Sequence, residues 1–66
     1  MFTVDQEGSS TIITTLDSTG ENSDIEVILD PEEVVIRQWD EDWQQYQVMF
    51  MSHQQLNDIK TAMENK

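Results

Sequence analysis

From Ile25 to Met51 the chain is built of apolar-rich runs, much of them alternating with polar residues, broken only by Asp30-Pro31-Glu32-Glu33 and Asp40-Glu41-Asp42. A period of two marks a half-buried β-strand, and a short polar break between two such runs marks a hairpin. Pro31 presets φ for the second position of a type I turn, around which four-residue hairpin loops are commonly built. Each turn fixes a register, because residues directly opposite each other share a face of the sheet. A four-residue loop pairs Leu29 with Val34 and Val27 with Ile36. A three-residue loop at 40–42 pairs Trp39 with Trp43, Ile36 with Tyr46 and Val34 with Val48. Both turns thus place Val27, Leu29, Val34, Ile36, Tyr46, Val48 and Phe50 on one side, and that agreement predicts a β-meander.

Upstream, residues 11–16 read as a further strand, and 17–24, rich in Ser, Thr, Asn and Gly, read as a loop. Residues 1–10, ending Glu7-Gly8-Ser9-Ser10, read as a frayed N-terminal tail, which leaves 11–66 as one domain. Ser52 opens a helix, with Gln55 in the capping-box position and Leu56, Ile59 and Met63 forming an apolar stripe. The predicted fold is α+β, in the order ββββα: an antiparallel meander of three to four strands with one C-terminal helix packed on one face. Val34, Ile36, Tyr46, Val48, Phe50, Leu56 and Ile59 are its expected core.

Fourteen Asp and Glu stand against three Lys and Arg, a net charge of -11. Low hydrophobicity with such a charge is also the signature of disorder, but the bunching of β-branched and aromatic residues argues for order from Ile12 onward. A chain of this length buries only about 60% of its unfolded surface, so a small core and no deep substrate pocket are expected. Cysteine is absent, which removes disulfides and thiolate metal sites. The N-terminus lacks the basic and apolar regions of a secretory signal, and the apolar runs are too short to span a bilayer. A cytoplasmic setting is the expectation. Anionic lipid and nucleic acid phosphates repel such a chain, so neither a membrane nor direct nucleic acid is an expected partner.

Chemistry-bearing constellations are sparse. Gly8 and Gly20 lie in no phosphate-cradling motif, and His53 is the single histidine. An EF-hand starting at Asp40 needs Gly and Glu where Gln45 and Met51 stand. Asp17-Ser18-Thr19-Gly20 carries one residue too many for an aspartic-protease turn and reads as a solvated turn. No catalytic, metal or cofactor site is expected, and the chain is not read as an enzyme. Two features point instead to binding. Asp30, Glu32, Glu33, Asp40, Glu41 and Asp42 crowd into the two hairpin loops, at opposite ends of a meander. Val35, Trp39, Trp43, Met49 and Met51 are expected on the face that one short helix leaves uncovered; aromatic residues and Met are enriched in interface cores.

Ile36-Arg37-Gln38-Trp39-Asp40-Glu41, followed by Met51-Ser52-His53 and a short amphipathic helix, resembles short acidic phage-encoded accessory proteins over the C-terminal half. The resemblance implies a binding protein acting in the host cytoplasm. The leading expectation is an inhibitor whose carboxylates imitate nucleic-acid charge and occupy a basic groove on a nucleic-acid-binding protein. Asp30, Glu32, Glu33, Asp40, Glu41 and Asp42 supply the charge; Trp39 and Trp43 anchor the contact. The alternative is an assembly module that forms a homodimer or larger homo-oligomer. It uses the outer face, with Val35, Met49 and Met51, or the edge strand 11–16, which has no charge to guard it.

Overall fold

A computed structural model describes residues 1–65. The alternation of the central segment forms β3 (Ile25–Leu29), β4 (Val34–Asp40) and β5 (Gln45–Met51), and the capped segment forms α1 (His53–Glu64). Upstream lie β1 (Phe2–Glu7) and β2 (Ser10–Thr15). All five strands pair antiparallel in sequence order, β1-β2-β3-β4-β5, so the fold is an α+β meander. The sheet therefore has five strands where three to four are predicted.

The turn between β3 and β4 behaves as the sequence predicts. Leu29 faces Val34 and Val27 faces Ile36. Asp30 ties this turn to both neighbours: its backbone N–H donates to the Glu33 carbonyl at 3.0 Å, and its carboxylate accepts from the Ser10 hydroxyl. Its carbonyl accepts from His53 Nε2 at 2.6 Å, which places the start of α1 beside the turn.

Residues 2–7, expected within a frayed tail, form an edge strand instead. Phe2 and Val4 pair with Thr15 and Ile13, and Gly8-Ser9 closes the hairpin. Gly8 sits at φ 62, the conformation that a two-residue turn with glycine first requires. The strand at Ser10–Thr15 is consequently an interior strand, and the open edges are β1 and β5.

The β4–β5 turn departs from prediction in a way that matters more. β4 runs on to Asp40 and β5 begins at Gln45, so four residues connect them, not three. The Asp40 carboxylate accepts from the backbone N–H of Asp42 at 3.0 Å and of Trp43 at 3.3 Å, which curls the chain tightly. Gln44, at φ 53, returns it to the strand. Ile36 then faces Met49 rather than Tyr46, Val34 faces Met51 rather than Val48, and Trp39 faces Tyr46 rather than Trp43. That shift is three residues, and an odd shift exchanges the two faces of a strand. Met49 and Met51 join Val34 and Ile36, while Tyr46, Val48 and Phe50 join Val35 and Trp39 on the opposite face.

The core follows from this exchange. Among the described residues Val34 is the one fully buried side chain; Ile36 and Leu56 are half-buried. Tyr46, Val48, Phe50 and Ile59, all expected inside, are exposed. The capping box at the start of α1 is complete: Ser52 Oγ accepts from the Gln55 N–H at 3.1 Å, and Gln55 Oε1 accepts from the Ser52 N–H at 3.0 Å. Beyond its first turns α1 buries little, since Leu56 alone of its stripe is half-covered and Met63 is exposed. The radius of gyration is 12.9 Å, against about 11 Å for a compact chain of this length.

Two stability outcomes are expected. Val34→Ala should cost about 2 kcal/mol, a large share of what so small a domain has, and urea unfolding measures it. Gln44→Gly should raise stability by about 0.5–1 kcal/mol, because glycine takes φ 53 without the left-handed penalty and only an exposed side-chain bond to the Glu41 carbonyl is lost. A Gln44→Gly melting midpoint at or below the parent's would show that the turn is not held in this conformation.

Candidate protein-binding surface

Three surfaces follow from the register. The first is a neutral face. Phe2, Val4, Ile13, Ile25, Val27, Leu29, Val34, Ile36, Met49 and Met51 lie on it with Thr and Gln neighbours, and its single ionisable residue is Asp40 at the rim. In a chain of net charge -11, a whole sheet face free of charge in its interior is a strong segregation.

The opposite face is aromatic and carries the sheet's remaining ionisable side chains. Glu26 and Arg37 face each other and join through Nε–Oε1 at 2.8 Å and Nη2–Oε2 at 3.3 Å. This bidentate bond, first among its causes, raises the Arg37 pKa above the usual guanidinium value. The guanidinium carbon sits 4.8 Å from the centre of the Tyr46 ring, a cation–π contact, and Trp39 meets Tyr46 edge-on with centroids 5.1 Å apart. Glu26, Arg37, Tyr46 and Trp39 thus run as a connected row across β3, β4 and β5, with Val48 and Phe50 continuing along the edge strand.

The third surface is the acidic end where the β2–β3 loop meets the β4–β5 turn. Gly20 to Ser23 and Gln38 to Asp42, with Gln47, line an open cleft of about 580 Å³. Glu21, Asp40, Glu41 and Asp42 face it, and among the described residues no basic one lines it. Gln47 Nε2 donates to the Asp40 carboxylate at 2.9 Å; that bond, followed by those from Trp43 and Asp42, lowers the Asp40 pKa. Among the described residues no group of three or more His, Asp or Glu is arranged to hold a metal ion.

The expected site residues are therefore divided. Asp40, Glu41, Asp42, Trp39 and Trp43 lie at one end, but Asp30, Glu32 and Glu33 lie in the turn at the other. Trp39 and Trp43 do not stack: Trp43 is carried into the turn and is 73% exposed, and Tyr46 takes the place beside Trp39. The expected outer face also divides, since Val35 and Trp39 stay on the aromatic side whereas Met49 and Met51 lie on the neutral one. Sequence reasoning passed over Phe2, Val4, Arg37 and Tyr46 as surface residues. Phe2 and Val4 carried a usable signal, because they alternate with Thr3 and Asp5 ahead of the Gly8-Ser9 turn.

An acidic five-stranded meander with one capped helix is the class that these features define. A family model described as a domain of unknown function, DUF8831, matches residues 3–62, and the chain belongs to that family. No match was found among curated proteins or among solved structures. No helix among the described residues is long and apolar enough to cross a membrane.

Asp17, read from sequence as part of a solvated turn, organises the β2–β3 loop. Its carboxylate accepts from the N–H groups of Thr19 at 3.0 Å and Asn22 at 2.8 Å, from the Thr19 hydroxyl at 2.8 and 2.9 Å, and from Asn22 Nδ2 at 2.9 Å. The bonds from Thr19, then those from Asn22, lower its pKa to about 2. A depressed carboxyl stabilises the folded loop above the unfolded pKa of about 3.9 and loses that contribution as pH falls toward the folded value. The amide resonances of Thr19 and Asn22 should therefore titrate with a midpoint of about 2. A midpoint near the ordinary aspartate value would mean that the loop is not built around Asp17.

Proposed function

We propose that this chain works by binding protein through its sheet, as a small acidic interaction module rather than as a catalyst. The observation that carries the reading is the surface itself. A monomer of this mass typically exposes about 4,300 Å², whereas this chain exposes 5371 Å², and among the described residues Val34 alone is fully buried. Part of that surface is apolar, with Phe2, Val4, Val48, Met49 and Phe50 each at least half exposed, and clustered exposed apolar side chains on a folded protein mark an interaction site. The neutral face supplies a dry contact, and the acidic loops at the two ends supply the polar rim typical of interfaces.

A second reading rests on the acidic cleft. Four carboxylates, with no lining cation among the described residues, suit a basic protein surface, and the proposal that the chain imitates nucleic-acid charge would use this end. Asp30, Glu32 and Glu33 would not join that contact, because they lie at the other end of the sheet. Trp43 beside the cleft would be its apolar anchor. An accessory role against a host protein, as the phage resemblance implies, fits this reading.

Sedimentation velocity combined with binding of an apolar-surface dye tests the first reading. The expected result is either an associated species with little dye binding or a monomer that binds dye strongly; a monomer that binds none overturns it. The second reading predicts salt-sensitive capture of a basic nucleic-acid-binding protein, lost when Asp40, Glu41 and Asp42 are all changed to Lys. Unchanged capture by that triple variant would remove the acidic end from consideration.

A further inference from the structure

We propose that β5 pairs with β5 of a second copy, antiparallel about a two-fold axis at Val48, joining two meanders into one continuous sheet. The inference rests on the reading above that the sheet binds protein, takes a second copy as that partner, and uses the β5 edge, leaving the neutral face of each copy open.

The edge is open. β5 is the last strand of the sheet, paired on one side by β4 alone, and its side chains Tyr46, Val48, Met49 and Phe50 are 47%, 50%, 58% and 65% exposed. It is also unguarded. Proteins blunt exposed edges with charge, proline, bulges or short strands. β5 is seven residues long, carries no Asp, Glu, Lys, Arg or Pro, and pairs with β4 one residue to one along its whole length. The other edge, β1, carries Asp5 and Glu7. An unguarded edge in so acidic a chain is the exception within this sheet.

The sequence of β5 is self-complementary about its midpoint. A two-fold contact is isologous, so each residue must suit the one that its own strand presents to it. With Val48 opposite Val48 of the second copy, Tyr46 faces Phe50, Gln47 faces Met49 and Gln45 faces Met51. Two cross-strand aromatic pairs then flank a β-branched pair on the aromatic face, among the most favourable arrangements in antiparallel sheets. The same register carries the acidic 41–44 turn of each copy toward the start of the other's α1. That helix end is electropositive, and its own first turn contains no acidic residue. Repulsion between two chains of charge -11 is moderated because no carboxylate lies on the joining strand itself.

The chain has surface to spare for such a contact: it exposes about 1,000 Å² more than a compact monomer of its mass, shared between β5, the rest of the sheet and α1.

The chain has no native cysteine, so single cysteines report the register directly. Light scattering of the parent should give twice 7.7 kDa. Under mild oxidation Val48→Cys should form a covalent dimer, Tyr46→Cys mixed with Phe50→Cys should form a mixed one, and Val4→Cys on β1 should stay unlinked. Val48→Lys should raise the dimer dissociation constant at least about tenfold by setting two ammonium groups opposite each other, with far-ultraviolet circular dichroism unchanged. Should Val48→Lys fail to fold, the cysteine links decide. A parent monomer that binds apolar dye overturns the second-copy proposal and leaves the binding reading standing. A parent monomer that binds none overturns both. A dimer that does not link at Val48 overturns the proposal by placing its contact elsewhere.

Discussion

The hydrogen bonds from Asp42 and Trp43 to the Asp40 carboxylate determine more of this molecule than any other interaction. They wind the β4–β5 connection into a four-residue turn that needs Gln44 in the left-handed region, and so set which residues of β5 face which side. Every surface property of the edge strand follows. Tyr46 reaches Arg37 and Trp39 only because Trp39 and Tyr46 are opposite each other in this register. Met49 and Met51 extend the neutral face beside Ile36 and Val34 for the same reason.

Charge and apolar surface are separated in space. The acids lie mostly in the loops, on α1 and on the aromatic face, where Glu26 has Arg37 as its partner. The interior of the neutral face has none. Local hydrogen bonding supplies much of the order at the loops: Asp17 gathers Thr19 and Asn22, Asp40 gathers Asp42, Trp43 and Gln47, and Asp30 connects Ser10 with the start of α1. Three aspartates thus act as loop organisers, their side-chain oxygens accepting bonds that hold each turn together.

Membership of the DUF8831 family covers the β1–β2 hairpin as well as the meander and most of the helix, so the five-stranded unit is the object to which a function must be assigned. Among the described residues Val34 alone is fully buried, so much of the sheet's apolar surface is left in contact with solvent. In the proposed dimer the edge that lacks charge, and the aromatic residues that the register turns outward, meet their own copies.

Much of the architecture was legible in the sequence because it depends on local rules. Period-two alternation located β3, β4 and β5, Pro31 and its neighbours set the β3–β4 register, and Ser52 with Gln55 marked the start of α1. The β1–β2 hairpin was legible too, through Gly8-Ser9 and the alternation of Phe2 and Val4, although a tail was expected there. The candidate site was less legible. Loop membership of Asp40, Glu41 and Asp42 says nothing of whether the turn holds three residues or four, and nothing in the letter Gln at 44 announces a left-handed residue. One added residue in the turn, together with the shifted strand ends, sufficed to exchange the faces of β5 and move Tyr46, Val48 and Phe50 from the expected core to the surface. The sequence by itself determined that this chain is an acidic antiparallel meander ending in a capped helix, because alternation and capping act over a few residues. Only the tertiary structure decided which side of the edge strand faces which neighbour, because hairpin register depends on backbone hydrogen bonding across a turn that residue types constrain too weakly.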